Sequence, residues 1–185
     1  EISRPIQKNA LTKKSRAGGP VTCVSFPSPE LYLTARGPYL ERQQLGVSGN
    51  ENPQAQTHLV FPQGGIIHGI RHVESSSVSL VFGGQQAAFL QNALQVDEQM
   101  RSLPVLYNRN QLPHLQLSDW IWDIHCKKSD EGTISLVIGL AHHRLEVWKA
   151  VLMDDGSMVE ATRYRRLVSN PVCLVTCMHM ASNNS

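Results

Sequence analysis

Basic side chains near the amino terminus are the first group in this sequence with the chemistry to bind phosphate. Residues 1–18 form a polar stretch without a hydrophobic pattern, and they include Lys8, Lys13, Lys14 and Arg16. Such an arm reaches the phosphates of a nucleic acid with an affinity that falls with salt and shows little sequence preference. The alternative is a solvated terminus with no binding role. We predict a flexible basic arm over 1–18.

A second basic cluster lies near the carboxyl end, in the run RYRR. Arg163, Arg165 and Arg166 surround Tyr164 there. Arginines on an edge strand also reach phosphates or a partner protein. The alternative is an outer strand whose charges protect an exposed edge against pairing with other chains. The candidate contact residues of the sequence are therefore Lys13, Lys14, Arg16, Arg163, Arg165 and Arg166.

Signatures of catalysis, cofactor binding and metal binding are weak. Glycine pairs at 18–19, 64–65 and 83–84 lack the following helix that a nucleotide-binding turn needs. Cys173 and Cys177 have a C-x3-C spacing within the range for zinc, but no second ligand pair follows, which favours small buried side chains. No local Ser-His-Asp or Cys-His signature is present. We predict no catalytic, cofactor-binding or metal-binding residue.

The histidines allow two interpretations. His68 and His72 fall on one face of a predicted strand, and His142 and His143 are adjacent in a predicted turn. Either pair has the chemistry for a metal or for acid–base catalysis. Strand and turn histidines satisfied by neighbouring backbone groups are the favoured interpretation.

Composition places the chain among globular proteins. Its 185 residues include 41% hydrophobic and 17% charged residues, with a net charge of +2. Such a charge gives no strong field of the kind that marks a nucleic-acid or membrane binder, so any binding surface is local. No apolar run approaches the roughly 18 residues of a membrane span. Four cysteines and a polar amino terminus favour an intracellular, cytoplasmic protein without membrane contact.

The elements that carry these side chains are short strands. Apolar runs alternate with turn compositions such as PSPE, RGP and DDG, and helical periodicity is almost absent. The window 85–103 fits a helix or a strand followed by a loop. The predicted strands are 21–26, 31–35, 58–61, 66–73, 77–82, 87–90, 120–126, 133–139, 144–148, 157–165 and 172–180. The chain is therefore predicted to be all-β.

A coarser repeat lies over the strands. Units that begin near Val21, Ile66, Trp120 and Val172 are 45, 54 and 52 residues apart, which is the spacing of propeller blades with slightly long loops. Residues 19–185 then hold about three blades of an incomplete propeller and one further strand. Because the chain begins with Glu1 rather than Met, we also expect it to be a piece of a larger protein.

The third unit is similar to the WD repeat. It runs LSDWIWDIHCKKSDEGTISLVIGLAHHRLEVWKA over 117–150, with Trp148 at the position of the repeat's tryptophan. It departs from the pattern because Gln116-Leu117 replaces Gly-His, His142 replaces the turn aspartate and Lys149 replaces the final aspartate. We expect the polar network of a standard repeat to be lost, at a cost in local rigidity.

The same unit contains two further tryptophans. Trp120 and Trp122 are two apart and point to one face of a strand, with Ile121 on the other. Because an inner strand packs between blades, we predict that both tryptophans are core residues. The alternative is a partner-binding hot spot at the rim of the propeller. Asp123 beside them needs a donor, and a backbone N–H or His125 would serve.

Three stretches together resemble the amino-terminal part of the WD-repeat protein six family. They are GPVTCVSF with LTARGPYL over 19–40, IIHGIRHV with SVSLVFGG over 66–84, and LSDWIWDIH over 117–125. That family is the non-catalytic partner of the cytosolic methyltransferase that adds a 2′-O-methyl group to the wobble ribose of tRNA. The resemblance implies a WD-repeat propeller scaffold with two partners, a tRNA ribose methyltransferase subunit and tRNA. It implies no cofactor and no enzyme activity of the chain itself.

Two other functions stay open at this point. A propeller adaptor for protein–protein interaction, unconnected to RNA, fits the same fold. An enzyme would require a bound metal or cofactor for which the sequence has no clear site.

Overall fold

The computed structural model describes residues 19–44, 55–142 and 144–168. Some predictions fall outside these ranges and stay predictions; they concern Lys8, Lys13, Lys14, Arg16, His143, Cys173, Cys177 and the strand 172–180. Within the described ranges every regular element is a β-strand. None of these residues forms a helix that is long and apolar enough to cross a membrane. The prediction of an all-β chain is confirmed.

The strands form three sheets, whose strands pair antiparallel except for one parallel pair in the third sheet. The first sheet contains β1 (Cys23–Ser28), β2 (Leu31–Arg36), β3 (Tyr39–Gln44) and β4 (Gln56–Leu59). The second contains β5 (Gly69–His72), β6 (Val78–Gly83), β7 (Gln86–Gln91), β8 (Arg101–Leu103) and β11 (Leu115–Gln116). The third contains β12 (Ile121–Lys128), β13 (Thr133–Leu140), β14 (Arg144–Leu152) and β15 (Val159–Val168), with β9 (Val105–Tyr107) and β10 (Asn110–Leu112) added at the far edge.

The three sheets stack face to face, and the first strands β1, β5 and β12 lie beside one another. This arrangement is that of successive blades around an axis, and the sheets do not close into a ring within the described residues. The predicted incomplete propeller of WD-like fold is therefore confirmed.

The second sheet is buried on both faces. Along β6, Val78, Leu80 and Phe82 belong to the core shared with the third sheet. Val81, between them, belongs to the core shared with the first sheet. Alternation along one strand thus supplies both cores, and every residue of β6 is buried.

Two glycines let neighbouring elements approach the second sheet closely. A Cβ at Gly69 would lie 2.0 Å from Cζ of Phe82, its cross-strand partner. A Cβ at Gly83 would lie 1.8 Å from the carbonyl oxygen of Ile66. Both positions therefore require glycine for close packing rather than for a turn.

Five strands were missed by the sequence-based prediction: β3, β8, β9, β10 and β11. The last four have two or three residues each, too few for an alternation to be recognised. Strand β3 ends in the polar run ERQQ, yet Glu41 and Arg42 are both buried. The strand is hidden in the sequence because its buried side chains are charged.

Arg42 is 3% exposed and joins the first sheet to the loop that follows β7. Its Nη1 donates to the carbonyl oxygen of Asn92 at 2.6 Å, and its Nη2 donates to those of Val96 at 3.0 Å and Glu98 at 2.7 Å. One guanidinium therefore donates to several carbonyls of this loop and fixes the loop against the first sheet.

His72 links the first two sheets. Its Nε2 is hydrogen-bonded to Ser25 Oγ of β1 at 2.9 Å, and its Nδ1 to Ser79 Oγ of β6 at 3.0 Å. Burial, together with the nearby charge of Arg71, lowers the pKa of His72. A neutral imidazole has one donor and one acceptor nitrogen, so one serine hydroxyl donates and the other accepts.

The His72 link makes stability depend on pH. The pKa of His72 is lower in the folded chain than the value of about 6.5 in the unfolded chain. The unfolded state therefore binds more protons as the pH falls through 6.5, and folding stability is present above that pH and decreases below it. Burial lowers the pKa of His58 and His114 in the same direction.

We expect the free energy of unfolding, measured with urea, to fall between pH 7.5 and pH 5. In the variant His72→Gln, which keeps one donor and one acceptor, this fall should be smaller because one titrating group is gone. An unfolding free energy that rises toward pH 5, or a His72→Gln variant with the full wild-type dependence, would contradict the assignment.

Candidate functional site

An exposed aromatic ring lies at one end of the third sheet, in a region that also contains polar and charged side chains. Here β12 and β14 begin and β13 and β15 end. We call this surface the Trp120 patch, and it consists of His68, Asp119, Trp120, His142, Arg144 and Arg166. His68 precedes β5, and Asp119 and Trp120 precede β12. His142 lies in the β13–β14 turn, Arg144 at the start of β14 and Arg166 near the end of β15.

The prediction that Trp120 and Trp122 are core residues is wrong. Trp120 is 58% exposed and Trp122 is 48% exposed. Ile121, which lies between them, is 1% exposed and packs in the core shared with the second sheet. A bulge between Ile121 and Asp123 shifts the pairing by one residue, so that Ile124 lies opposite the core residue Ile138 of β13.

The backbone fixes the position of Trp120. Its N–H donates to Asp119 Oδ1 at 2.8 Å, and its carbonyl oxygen accepts from the N–H of Ala141 at 2.8 Å. The next residue is held in turn, since the N–H of Ile121 donates to the carbonyl oxygen of Gly84 at 2.8 Å. An exposed residue with both backbone groups bonded is pre-organised rather than free.

The ring of Trp120 is backed by a second ring. The imidazole of His68 lies parallel to it, with an interplanar angle of 7° and centroids 6.3 Å apart. His68 is itself held because its Nε2 donates to the carbonyl oxygen of Ile121 at 2.8 Å. The prediction that His68 is satisfied by a neighbouring backbone group is confirmed.

Asp119 and His142 join two loops of the patch. His142 Nδ1 donates to Asp119 Oδ2 at 2.8 Å, and His142 has a left-handed backbone with φ of 56°. Desolvation raises the pKa of Asp119, but hydrogen bonds from His142 and from the Trp120 N–H lower it more, and the net shift is downward.

A second polar group lies beneath the patch, on the buried face of the sheet. Glu146 is 1% exposed, and its Oε2 accepts from Trp148 Nε1 at 2.9 Å. Its Oε1 accepts from Arg166 Nε at 2.8 Å and contacts Arg163 Nη1 at 3.5 Å. The residues of the standard network are replaced in this repeat, as expected, and Glu146 forms a different network with Trp148, Arg163 and Arg166.

A bulge in β15 divides the RYRR run between two faces. Arg163 lies opposite Trp148 and Arg166 opposite Glu146, which places both on the buried face, while Arg165 lies opposite Val147 on the other. Arg166 also donates to Ser118 Oγ at 3.2 Å. Arg165 has no ion-pair partner among the described residues. The three arginines thus do not form one cluster, as the linear run had suggested.

Asp123 has the donor that the sequence required. The N–H of Ile124 donates to its Oδ1 at 2.8 Å, which confirms a backbone partner. Arg71 Nη2, from the second sheet, lies 2.5 Å from the same oxygen. The sequence did not indicate Arg71 as a partner of Asp123, because the two residues are far apart in the chain.

The described residues contain no group of three or more His, Cys, Asp or Glu side chains that could hold a metal ion. Among them, Cys23 and Cys126 are free thiols. Burial raises the pKa of Cys126 to about 11 and raises that of Cys23 as well. Both thiols are therefore protonated at neutral pH and poor nucleophiles.

No family model matches the chain, and no curated protein matches it. Solved structures with some likeness include Hsv2 of Kluyveromyces marxianus, which is 12% identical with a TM-score of 0.26 and covers 82% of this chain and 72% of that one. Hsv2p of Kluyveromyces lactis is also 12% identical, with a TM-score of 0.25 and coverage of 83% and 75%. Overlaps of this size carry no argument about function, and the fold is argued from the strand pairing of the chain itself.

The buried Glu146 provides a test of the rebuilt network. Replacing Glu146 with Gln keeps the volume but leaves Arg163 and Arg166 without a countercharge. Because both arginines are about one third exposed, we expect a loss of about 2 kcal/mol, less than for a fully buried pair. Urea unfolding would measure it, with the exposed Glu160→Gln in the same sheet as the control. Equal effects of the two substitutions would contradict the role of Glu146.

Proposed function

We propose that this protein is a non-catalytic WD-repeat propeller scaffold, acting in the cytoplasm, that supports 2′-O-methylation of the wobble ribose of tRNA. It does so by binding the methyltransferase subunit and the tRNA. Two independent features support the proposal: the resemblance to the WD-repeat protein six family over 19–180, and the Trp120 patch.

The observation that carries a binding role is the exposure of Trp120, which is 58% exposed. A large apolar ring left in water is unfavourable unless a partner covers it. Tryptophan and arginine are also the residues most enriched where binding energy concentrates. Since Trp120 is held by two backbone hydrogen bonds and by His68, little conformational entropy is lost when a partner covers it.

A scaffold of this kind contributes proximity. The methyl transfer itself is carried out by the partner subunit. Holding enzyme and tRNA on one rigid body turns their encounter into an effectively intramolecular event. Rigid stacking of the sheets suits this role, because a flexible linker between the two binding sites would lower the effective concentration of the methyltransferase at the tRNA.

A protein-interaction adaptor unrelated to RNA is the second candidate. It is favoured by the net charge of only +2 and by Glu146, which neutralises part of the charge of Arg163 and Arg166. Such an adaptor would use the same exposed tryptophans against a protein partner.

The deciding experiment inactivates the gene and measures wobble-ribose methylation of cellular tRNA by mass spectrometry. The proposal predicts loss of this methylation, with restoration by the wild-type full-length protein, which should also co-purify with the methyltransferase subunit and tRNA. Unchanged methylation in the absence of the protein would overturn the proposal and leave the adaptor function.

A further inference from the structure

The first sheet has an open face, the one turned away from the second sheet, and this face carries a buried acceptor without a donor. We propose that the basic arm 1–18 packs on the open face and that Arg16 donates a hydrogen bond to Glu41 Oε1. The inference does not depend on the proposed function, since it concerns a contact within the chain.

Strand pairing shows which side chains lie on the open face. Leu33 and Ala35 of β2 belong to the core shared with the second sheet, so Thr34 between them points to the opposite side. Glu41 of β3 lies directly opposite Thr34 and shares its side of the sheet. Thr34 and Glu41 are therefore neighbours on the open face.

The carboxylate of Glu41 has an unused oxygen. Glu41 is only 2% exposed, and its Oε1 is buried without a hydrogen-bond partner among the described residues. The Oγ1 of Thr34 is in the same state. The second carboxylate oxygen, Oε2, lies 3.5 Å from Arg36 Nε, which is long for a hydrogen bond. Because a buried acceptor without a donor is unfavourable, two such acceptors on paired strands indicate a donor group outside the described ranges.

The third sheet shows what kind of donor suits this position. Glu41 and Glu146 are each the third residue of the third strand in their sheet. The carboxylate of Glu146 accepts from Trp148 Nε1 and from Arg166 Nε. An arginine is thus a donor that the same fold already places at the equivalent glutamate. Its guanidinium has five N–H groups, enough to reach a carboxylate and a neighbouring hydroxyl together.

The arm joins the first sheet beside this acceptor pair. Arg36 Nη1 donates to the carbonyl oxygen of Gly19 at 2.8 Å, and the same guanidinium contacts Glu41. Gly19 and Glu41 therefore lie on either side of one side-chain group. Arg16 is the cation of the arm closest to Gly19 in the chain, three residues or at most about 11 Å of extended backbone away. Charge and attachment point thus favour the arm as the occupant of the open face.

The contact has a consequence for the candidate phosphate contacts. An arginine that is bonded to Glu41 is not available to a phosphate, so Arg16 serves one anion or the other. The contact leaves Lys8, Lys13 and Lys14 for phosphates.

Backbone order of the arm, measured by ¹⁵N relaxation of the full chain, tests the contact. We expect the amides of Arg16 and Ala17 to have order parameters near the value of about 0.85 for rigid backbone in the wild type, and below about 0.6 in Arg16→Gln and in Glu41→Gln. The matched controls should keep the wild-type order. They are Lys8→Gln in the arm and Glu30→Gln, an exposed glutamate in the β1–β2 turn of the same sheet.

A double-mutant cycle tests whether Arg16 and Glu41 form the pair. From urea unfolding, we expect Arg16→Gln and Glu41→Gln to be coupled by about tenfold in the folding equilibrium constant, the size of a hydrogen bond to a charged group. Arg16→Gln combined with Glu30→Gln should show no coupling.

Several results would overturn the proposal. They are flexible Arg16 and Ala17 amides in the wild type, order that survives either Arg16→Gln or Glu41→Gln, and coupling no larger than that between Arg16 and Glu30. If Glu41→Gln does not fold, the comparison of Arg16→Gln with Lys8→Gln still decides, because both changes lie outside the sheet. Order that grows with protein concentration would assign the open face to a second copy of the chain instead.

Discussion

Burial of both faces of the second sheet is the constraint on which the rest of the structure depends. A twisted antiparallel sheet of four or five short strands cannot hide its apolar side chains alone, and here one neighbour covers each face. Phe82 and Phe89 contribute to the core with the third sheet, whereas Val81 and Leu90 contribute to the core with the first. The position of the Trp120 patch follows, because His68 leads into the second sheet and Trp120 into the third.

Polar groups fix the stacking that the apolar cores make favourable. Arg42 ties the first sheet to a loop of the second, His72 joins the same two sheets through two serines, and Arg71 joins the second to the third through Asp123. Apolar packing is tolerant of small shifts, whereas hydrogen bonds between buried groups are directional. These bonds therefore set the registration of the sheets, and with it the stacking of His68 on Trp120.

Much of the fold could be predicted because alternation is a property of each strand by itself. Strands such as β6 and β13 were recognisable from their β-branched and apolar residues, and the repeat spacing gave the propeller. Strands β8 to β11 were not, since two or three residues cannot show a period. For β3 the signal was misleading, because its buried Glu41 and Arg42 look like surface residues.

The candidate site was harder to predict because it depends on which neighbour covers which face. The spacing of Trp120 and Trp122 suggested core residues of an inner strand, but only the stacking of the sheets shows that Ile121 is buried while both tryptophans are exposed. The RYRR run was visible in sequence, whereas its division by a bulge in β15 was not. Likewise, the pairing of Asp119 with His142 joins two loops whose residues carry no mutual signal in one sequence.

Amide hydrogen exchange tests the stacking most directly. Strands β6 and β13 are each paired on both sides, so they differ mainly in that β6 is buried on both faces and β13 on one. The account predicts that, in residue-resolved exchange under native conditions, the amides of β6 exchange more slowly than those of β13. Exchange from β6 as fast as, or faster than, from β13 would contradict the central position of the second sheet.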